Sequence, residues 1–194
     1  MESLPRQFRF SFLASGDDGA RNKVFKEIWD NYQPKIVLFV KSISQMNDAE
    51  AEDLTQEIML KVWMNLHRYN PVYSFNAWIY TLARNHCIDH LRKNPASREM
   101  GLDESGIADK VCADSSPPAE QTVIEGQLHR LVDGFLESLD PGHRQAAFLR
   151  FHQGLSYRII ARIIDVPTGT VKYWIHNIRE QLRSELERIY ETKF

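Results

Sequence analysis

Residues 144–190 read RQAAFLRFHQGLSYRIIARIIDVPTGTVKYWIHNIREQLRSELERIY. Apolar residues recur there at spacings of three and four, the period of a helix with one buried face, and no run alternates long enough to make a strand. Ser156 stands where a helix N-cap belongs, ahead of Tyr157, Ile160, Ala161 and Ile164. DVPTGT is a tight reversal in which Asp165 tolerates a left-handed backbone, and Thr168 is positioned to cap the long helix that follows. The stretch is therefore helix, turn, helix, turn, helix. A helix of about eight residues, a short turn and a longer helix is the arrangement of a DNA-binding helix-turn-helix, whose second helix enters the major groove. Its polar face offers Thr168, Thr170, Lys172, Tyr173, His176 and Arg179, while Val171, Ile175, Ile178 and Leu182 form the buried face. The same pattern suits a plain three-helix bundle with a charged exterior, and composition does not choose between them.

Working towards the N-terminus, residues 94–118 (NPASREMGLDESGIADKVCADSSPP) hold two basic residues, Arg98 and Lys110, against five acidic ones. Prolines and serines make this a poor core and a good tether. It divides the chain into an arm over residues 1–20, a helical unit over 21–93, an acidic linker over 94–118 and a second helical unit over 119–194. In the first unit, Pro34 suits the first turn of a second helix better than the interior of a long one. Asn47, with Glu50 three residues on, forms a capping box for a helix whose stripe is Ala51, Leu54, Ile58, Val62 and Leu66. Pro71 ends helical geometry at Asn70, and Ser74 caps the helix FNAWIYTLARNHCIDHLRK. The fold class is all-α: two small helical domains joined by a flexible linker, the second carrying the helix-turn-helix.

Composition narrows the function. Over 194 residues, 24 basic against 26 acidic side chains give a formal charge of −2, which excludes a uniformly basic nucleic-acid coat but permits a local basic face. Two cysteines, Cys87 and Cys112, cannot build a disulfide framework or a four-thiolate metal site. The longest apolar run, Ile36 to Val40, falls far short of the roughly 20 residues a membrane span requires, so the chain reads as cytoplasmic, without membrane insertion. His86 and His90 share a helix face at a metal-sharing spacing, but no HExxH motif and no third ligand accompany them. No nucleophile elbow or phosphate-binding loop occurs. The sequence therefore reads as a non-enzyme needing no cofactor or metal.

The order of residues carries more than the composition. LSYRIIA, then DVPTGTVK, then REQLR resembles region 4 of the bacterial sigma-70 family, in its extracytoplasmic-function (ECF) group. AEDLTQEIMLKVW resembles that family's region 2.2, and FNAWIYTLARNHCIDHLR its regions 2.3 and 2.4. The resemblance implies a promoter-specificity subunit that binds core RNA polymerase and reads promoter DNA. Asp53, Leu54, Gln56 and Glu57 would dock on the β′ clamp, with the β flap as a second contact. Tyr69, Tyr73, Arg84, Asn85 and Arg92 would open and hold the −10 element by stacking and phosphate contact. Thr168, Thr170, Lys172, Tyr173, His176 and Arg179 would read the −35 element. An anti-sigma factor is a further implied partner. Taken without the resemblance, the acidic edge also reads as a solvated face, Tyr69 and Tyr73 as covers for helix ends, and Trp78 as core. The chain departs from the family at Asp165, where Gly is frequent, and at Tyr173, Trp174 and Asn177, where small or basic residues are usual. A conventional helix-turn-helix regulator with a helical sensing or dimerisation domain, and a helical adaptor without a DNA role, are the rival readings.

Overall fold

The computed structural model describes residues 18–44, 46–94, 132 and 134–192, and all regular structure among them is helical. The first unit holds α1 (Asp18–Ile43), α2 (Asp48–Asn65), a 3₁₀ turn (Leu66–Arg68) and α3 (Phe75–Lys93). The second holds α4 (Pro141–Ala147), which runs into a π-helical turn (Phe148–His152), then α5 (Tyr157–Ile164) and α6 (Thr168–Thr192). The reading of residues 1–17 as an arm, of residues 95–118 as a linker and of most of residues 119–133 falls outside the described residues. Helix α1 begins at Asp18, three residues before the boundary at residue 21 that the sequence predicts.

Pro34 lies inside α1 rather than at the start of a second helix. The deleted hydrogen bond would have gone to the carbonyl of Asp30, and both residues are exposed, on the side of the helix where solvent has access. On the opposite side, Ile28, Tyr32, Ile36, Phe39, Val40 and Ile43 form one buried stripe. That stripe holds both halves of α1 against α2 and α3, and its burial outweighs the local cost of about 3 kcal/mol for an interior proline.

The caps fall mostly where expected. Asn47 Oδ1 accepts from the Glu50 N–H at 2.9 Å, and Glu50 Oε2 accepts from the Asn47 N–H at 3.3 Å. Ser74 Oγ accepts from the Ala77 N–H and Ser156 Oγ from the Ile159 N–H, each at 3.4 Å. Asp165 adopts φ 62°, ψ 54° and closes α5 in the left-handed conformation. Thr168 does not cap α6 but is its first residue; the Pro167 carbonyl accepts the opening bonds from Thr170 and Val171. Ala51, Leu54, Ile58, Val62 and Leu66 are all buried, as are Val171, Ile175 and Ile178, while Leu182 is half-buried.

The two units pack against each other, α4 on α1 and α5 on α3. Phe148, from the π turn, sets its ring 5.7 Å from that of Phe39 and 6.4 Å from that of Tyr80. Beside it, Arg84 Nε donates to Oε1 of the buried Gln145 at 3.3 Å. No described helix is long and apolar enough to cross a membrane.

Two measurements check this account. Asn47→Ala removes the capping box and is expected to cost about 1 kcal/mol, read as a melting point about 2–4 °C lower. Burial pushes the Cys87 thiol up to about 12 from its ordinary 9.0, so the folded chain resists its ionisation while the unfolded chain does not. Stability should hold at neutral pH and fall as pH rises through 9.0. Peptide mass analysis after alkylation at pH 8 should find Cys87 unmodified in the native protein and modified in denaturant.

Candidate functional site

Three surfaces gather the residues singled out from the sequence. The first is a groove of about 730 Å³ between α1 and α2, where Asp53, Gln56 and Glu57 meet Phe25, Trp29, Leu60 and Trp63. The α2 stripe turns these three polar residues outwards because they fall between its buried positions. Leu60 and Met64, the neighbouring exposed positions, leave 56% and 59% of their surface free, so the acid-and-amide edge borders an apolar strip. Leu54, expected at that edge, is instead 2% exposed and belongs to the core, because its position faces α1 and α3. One wall is braced by a residue the sequence did not single out. The Arg21 guanidinium lies 4.0 Å from the Trp63 ring and donates to the Trp63 carbonyl at 2.8 Å.

The second surface is a pocket of about 630 Å³ formed by the end of α2 with Lys61, the loop after it, the outer face of α3 and Arg162 of α5. Tyr69 is its floor. The ring is buried, edge-on to Phe75 at 5.1 Å and 5.3 Å from Trp78, and its hydroxyl donates to the Tyr73 carbonyl at 2.6 Å. That bond and the turn in which Asn70 Oδ1 accepts from the Val72 N–H at 3.0 Å hold the loop in shape. Tyr69 thus acts first as a cover for the helix ends, one of the two readings left open above. Tyr73 and Val72 stand out from the loop, 60% and 85% exposed. Trp78 packs on the core, half-buried, while still lining the pocket. Asn85 lines it too, and Arg92 lies exposed further along α3, 4.0 Å from Asp89. Arg84 is turned away from this pocket and towards the second unit. Burial lowers its pKa, and the Asp165 carboxylate at the end of α5 opposes that shift.

The third surface is the start of α6. Lys172, Tyr173 and His176 are exposed, Tyr173 by 63%, and Thr168 and Thr170 are half-buried at its first turn. Trp174 is half-buried, packed against the core of the second unit. Its ring lies 4.6 Å from that of His143, tilted by 37°, and its edge lies over Gly142, where a Cβ would approach to 3.2 Å. Arg179 is exposed, but its guanidinium leans 5.6 Å from the Phe151 ring, towards an apolar groove of about 460 Å³ lined by Phe135, Leu136, Ile178, Leu182 and Leu186. The rival histidine pair separates in use. His86 bonds to Lys61 and Glu57 of α2, and His90 to Asn94 at 3.2 Å. The apolar groove and the Arg84–Gln145 contact had no local signal in the sequence, because each joins segments far apart along it.

The family model described as Sigma-70 region 2 matches residues 28–96, and the one described as Sigma-70, region 4 matches residues 129–182. The chain is 29% identical over 184 residues to the ECF RNA polymerase sigma factor SigW of Bacillus subtilis, covering 92% of this chain and 95% of that one. It is 32% identical to the ECF RNA polymerase sigma factor SigE of Mycolicibacterium smegmatis, over 91% of this chain and 66% of the relative. To the ECF RNA polymerase sigma-E factor of Escherichia coli K12 it is 29% identical, over 96% of both. Among solved structures, the sigma factor RpoE in complex with the anti-sigma factor NepR from Bartonella quintana superposes with a TM-score of 0.62 at 24% identity, over 85% of this chain and 98% of that one. CnrH in complex with the cytosolic domain of CnrY gives 0.59 at 20% identity, over 91% and 94%. Two region models in the expected order, on the two helical units that carry these surfaces, place the chain in the sigma-70 family, as a member of its ECF group.

Proposed function

We propose that the three surfaces divide the work of this sigma factor: the groove of α1 and α2 docks on the polymerase β′ clamp, the pocket on α3 takes the −10 strand, and α6 reads the −35 element. A sigma factor of this group binds core RNA polymerase and directs initiation at the promoters it recognises. Bond formation belongs to the polymerase, and we infer no catalysis by this chain. One observation supports the division: each surface pairs exposed polar groups with the partner chemistry it would meet, on a different face of the fold. At the groove, Asp53, Gln56 and Glu57 stand beside exposed Leu60, which suits a partner carrying cations and amides over an apolar base. At the pocket, exposed Tyr73 above a fixed aromatic floor suits stacking with an unpaired base, and Asn85 and Arg92 suit its polar edges and phosphates. At α6, Lys172, Tyr173 and His176 crowd the N-terminal end that a groove-bound helix presents to bases.

The packed units must separate for this work. The −10 and −35 elements lie about 25 base pairs apart, or roughly 85 Å of duplex at 3.4 Å per base pair, whereas α5 here lies directly on α3. Arg84, proposed for the −10 strand, becomes available only when Gln145 lets it go. An inhibitor of the anti-sigma class, as in the RpoE–NepR complex, would act by keeping the units together. The apolar groove beside Phe151 is proposed as the seat of the β flap.

Asp53→Ala or Gln56→Ala should weaken binding to core polymerase by roughly tenfold or more with no change in melting point; unchanged affinity would remove the docking assignment. Lys172→Ala and Arg179→Ala should lower run-off transcription from promoters with an intact upstream element, each reducing the salt slope of DNA binding by about 1 where the contact is to phosphate. Equal output from intact and scrambled upstream elements would refute the role of α6. Energy transfer between dyes on Asp30→Cys and Glu180→Cys, with Cys112→Ser, should be high in the free protein and drop when core polymerase is added.

A further inference from the structure

Glu57 and Lys61 stand four residues apart on α2, the spacing at which a carboxylate and an ammonium pair across one helical turn. Here each meets the imidazole of His86, which reaches across from α3. Lys61 Nζ lies 2.7 Å from His86 Nδ1, and His86 Nε2 lies 2.8 Å from Glu57 Oε2. Lysine can only donate, so Nδ1 must be the bare nitrogen and Nε2 must carry the proton that the carboxylate accepts. One neutral tautomer satisfies both neighbours. The side chain of His86 is 12% exposed, so it is wedged in place, whereas that of Glu57 is 58% exposed and looks outwards.

The two residues it separates belong to different surfaces. Glu57 lines the groove with Asp53 and Gln56, and Lys61 lines the pocket with Tyr69 and Tyr73. His86 bridges the α2 edge and the α3 pocket. We propose that His86 is a positioning residue which holds the docking carboxylate and the pocket cation apart, so that one is free to meet the polymerase and the other the unpaired DNA strand. This rests on the assignment of the two surfaces proposed above. Take the imidazole away, and Glu57 and Lys61 close on each other, each neutralising the charge the other needs for its own partner. An exposed pair of that kind adds little to stability, so its closure is read in binding, while the loss of the buried imidazole is read in melting.

The test uses the full chain with core polymerase. It measures affinity by fluorescence anisotropy, strand opening by permanganate reactivity at the −10 region, and melting. His86→Ala should weaken core binding and lower open-complex yield, each by about two- to fivefold, with a melting point equal to that of the double variant with Lys61→Met. Adding Lys61→Met to His86→Ala should restore core affinity, because no ammonium remains to seize Glu57, while opening stays low because the pocket has lost its cation. His86→Gln, whose amide carries one acceptor and one donor, should keep both activities. A residue that merely supported the fold would lose core affinity in step with the melting point and would not be rescued by the lysine substitution. If His86→Ala behaves as the native protein, or if Lys61→Met does not restore core binding in its background, the inference is overturned. Glu57→Gln in the otherwise native chain isolates the underlying assignment: unchanged core affinity there removes the docking role of Glu57, whereas a loss there with none for His86→Ala removes only the role of His86.

Discussion

Helix α1 must bury a single stripe, Ile28, Tyr32, Ile36, Phe39 and Ile43, against α2 and α3 at the same time. Helices pack with their axes about 8–10 Å apart, so a shared third helix fixes how α2 and α3 face each other and which of their residues are left outside. The acid-and-amide edge of α2 and the pocket of α3 are the remainders of that packing. Asp53, Gln56 and Glu57 point outwards because Leu54, Thr55 and Ile58 point inwards. The same stripe explains why α1 runs unbroken through Pro34, and its Phe39 supplies the ring that meets Phe148 of the second unit.

Polar contacts then decide what this packing leaves usable. His86 takes both charged groups of one helical turn and so links the edge of α2 to the pocket of α3. Arg84 is held by Gln145 and acted on by Asp165, so the helix proposed to grip the −10 strand is partly occupied by the unit proposed to read the −35 element. A near-balanced net charge fits such a protein. Nonspecific affinity for DNA is largely electrostatic, and a chain with little of it stays available to the polymerase.

Much of this was legible in advance because it is local. Caps at Asn47, Ser74 and Ser156, the left-handed turn at Asp165 and the apolar stripes of α2 and α6 depend on neighbours within a few residues, where side-chain chemistry and helical period act directly. The fold class followed from them. Site assignment was less direct. Asp53, Gln56, Glu57, Lys172, Tyr173 and His176 were found by elimination from the stripes and lie exposed, whereas Leu54 and Tyr69 are buried and Arg179 leans over Phe151. Periodicity says which face of a helix a residue occupies but not how far a long side chain reaches or what covers it.

The sequence by itself determined the caps at Asn47, Ser74 and Ser156, the apolar stripes of α2 and α6, and the order of signatures that marks the family, because these follow from covalent spacing and local hydrogen bonding. Tertiary structure alone decided that Pro34 sits within one helix, that Trp174 lies on Gly142 and His143, that Arg84 meets Gln145, and that His86 stands between Glu57 and Lys61. Each depends on groups tens of residues apart, or on a proline's local cost being set against distant burial. Such outcomes are fixed by the balance of packing over the whole molecule, which no short window of sequence contains.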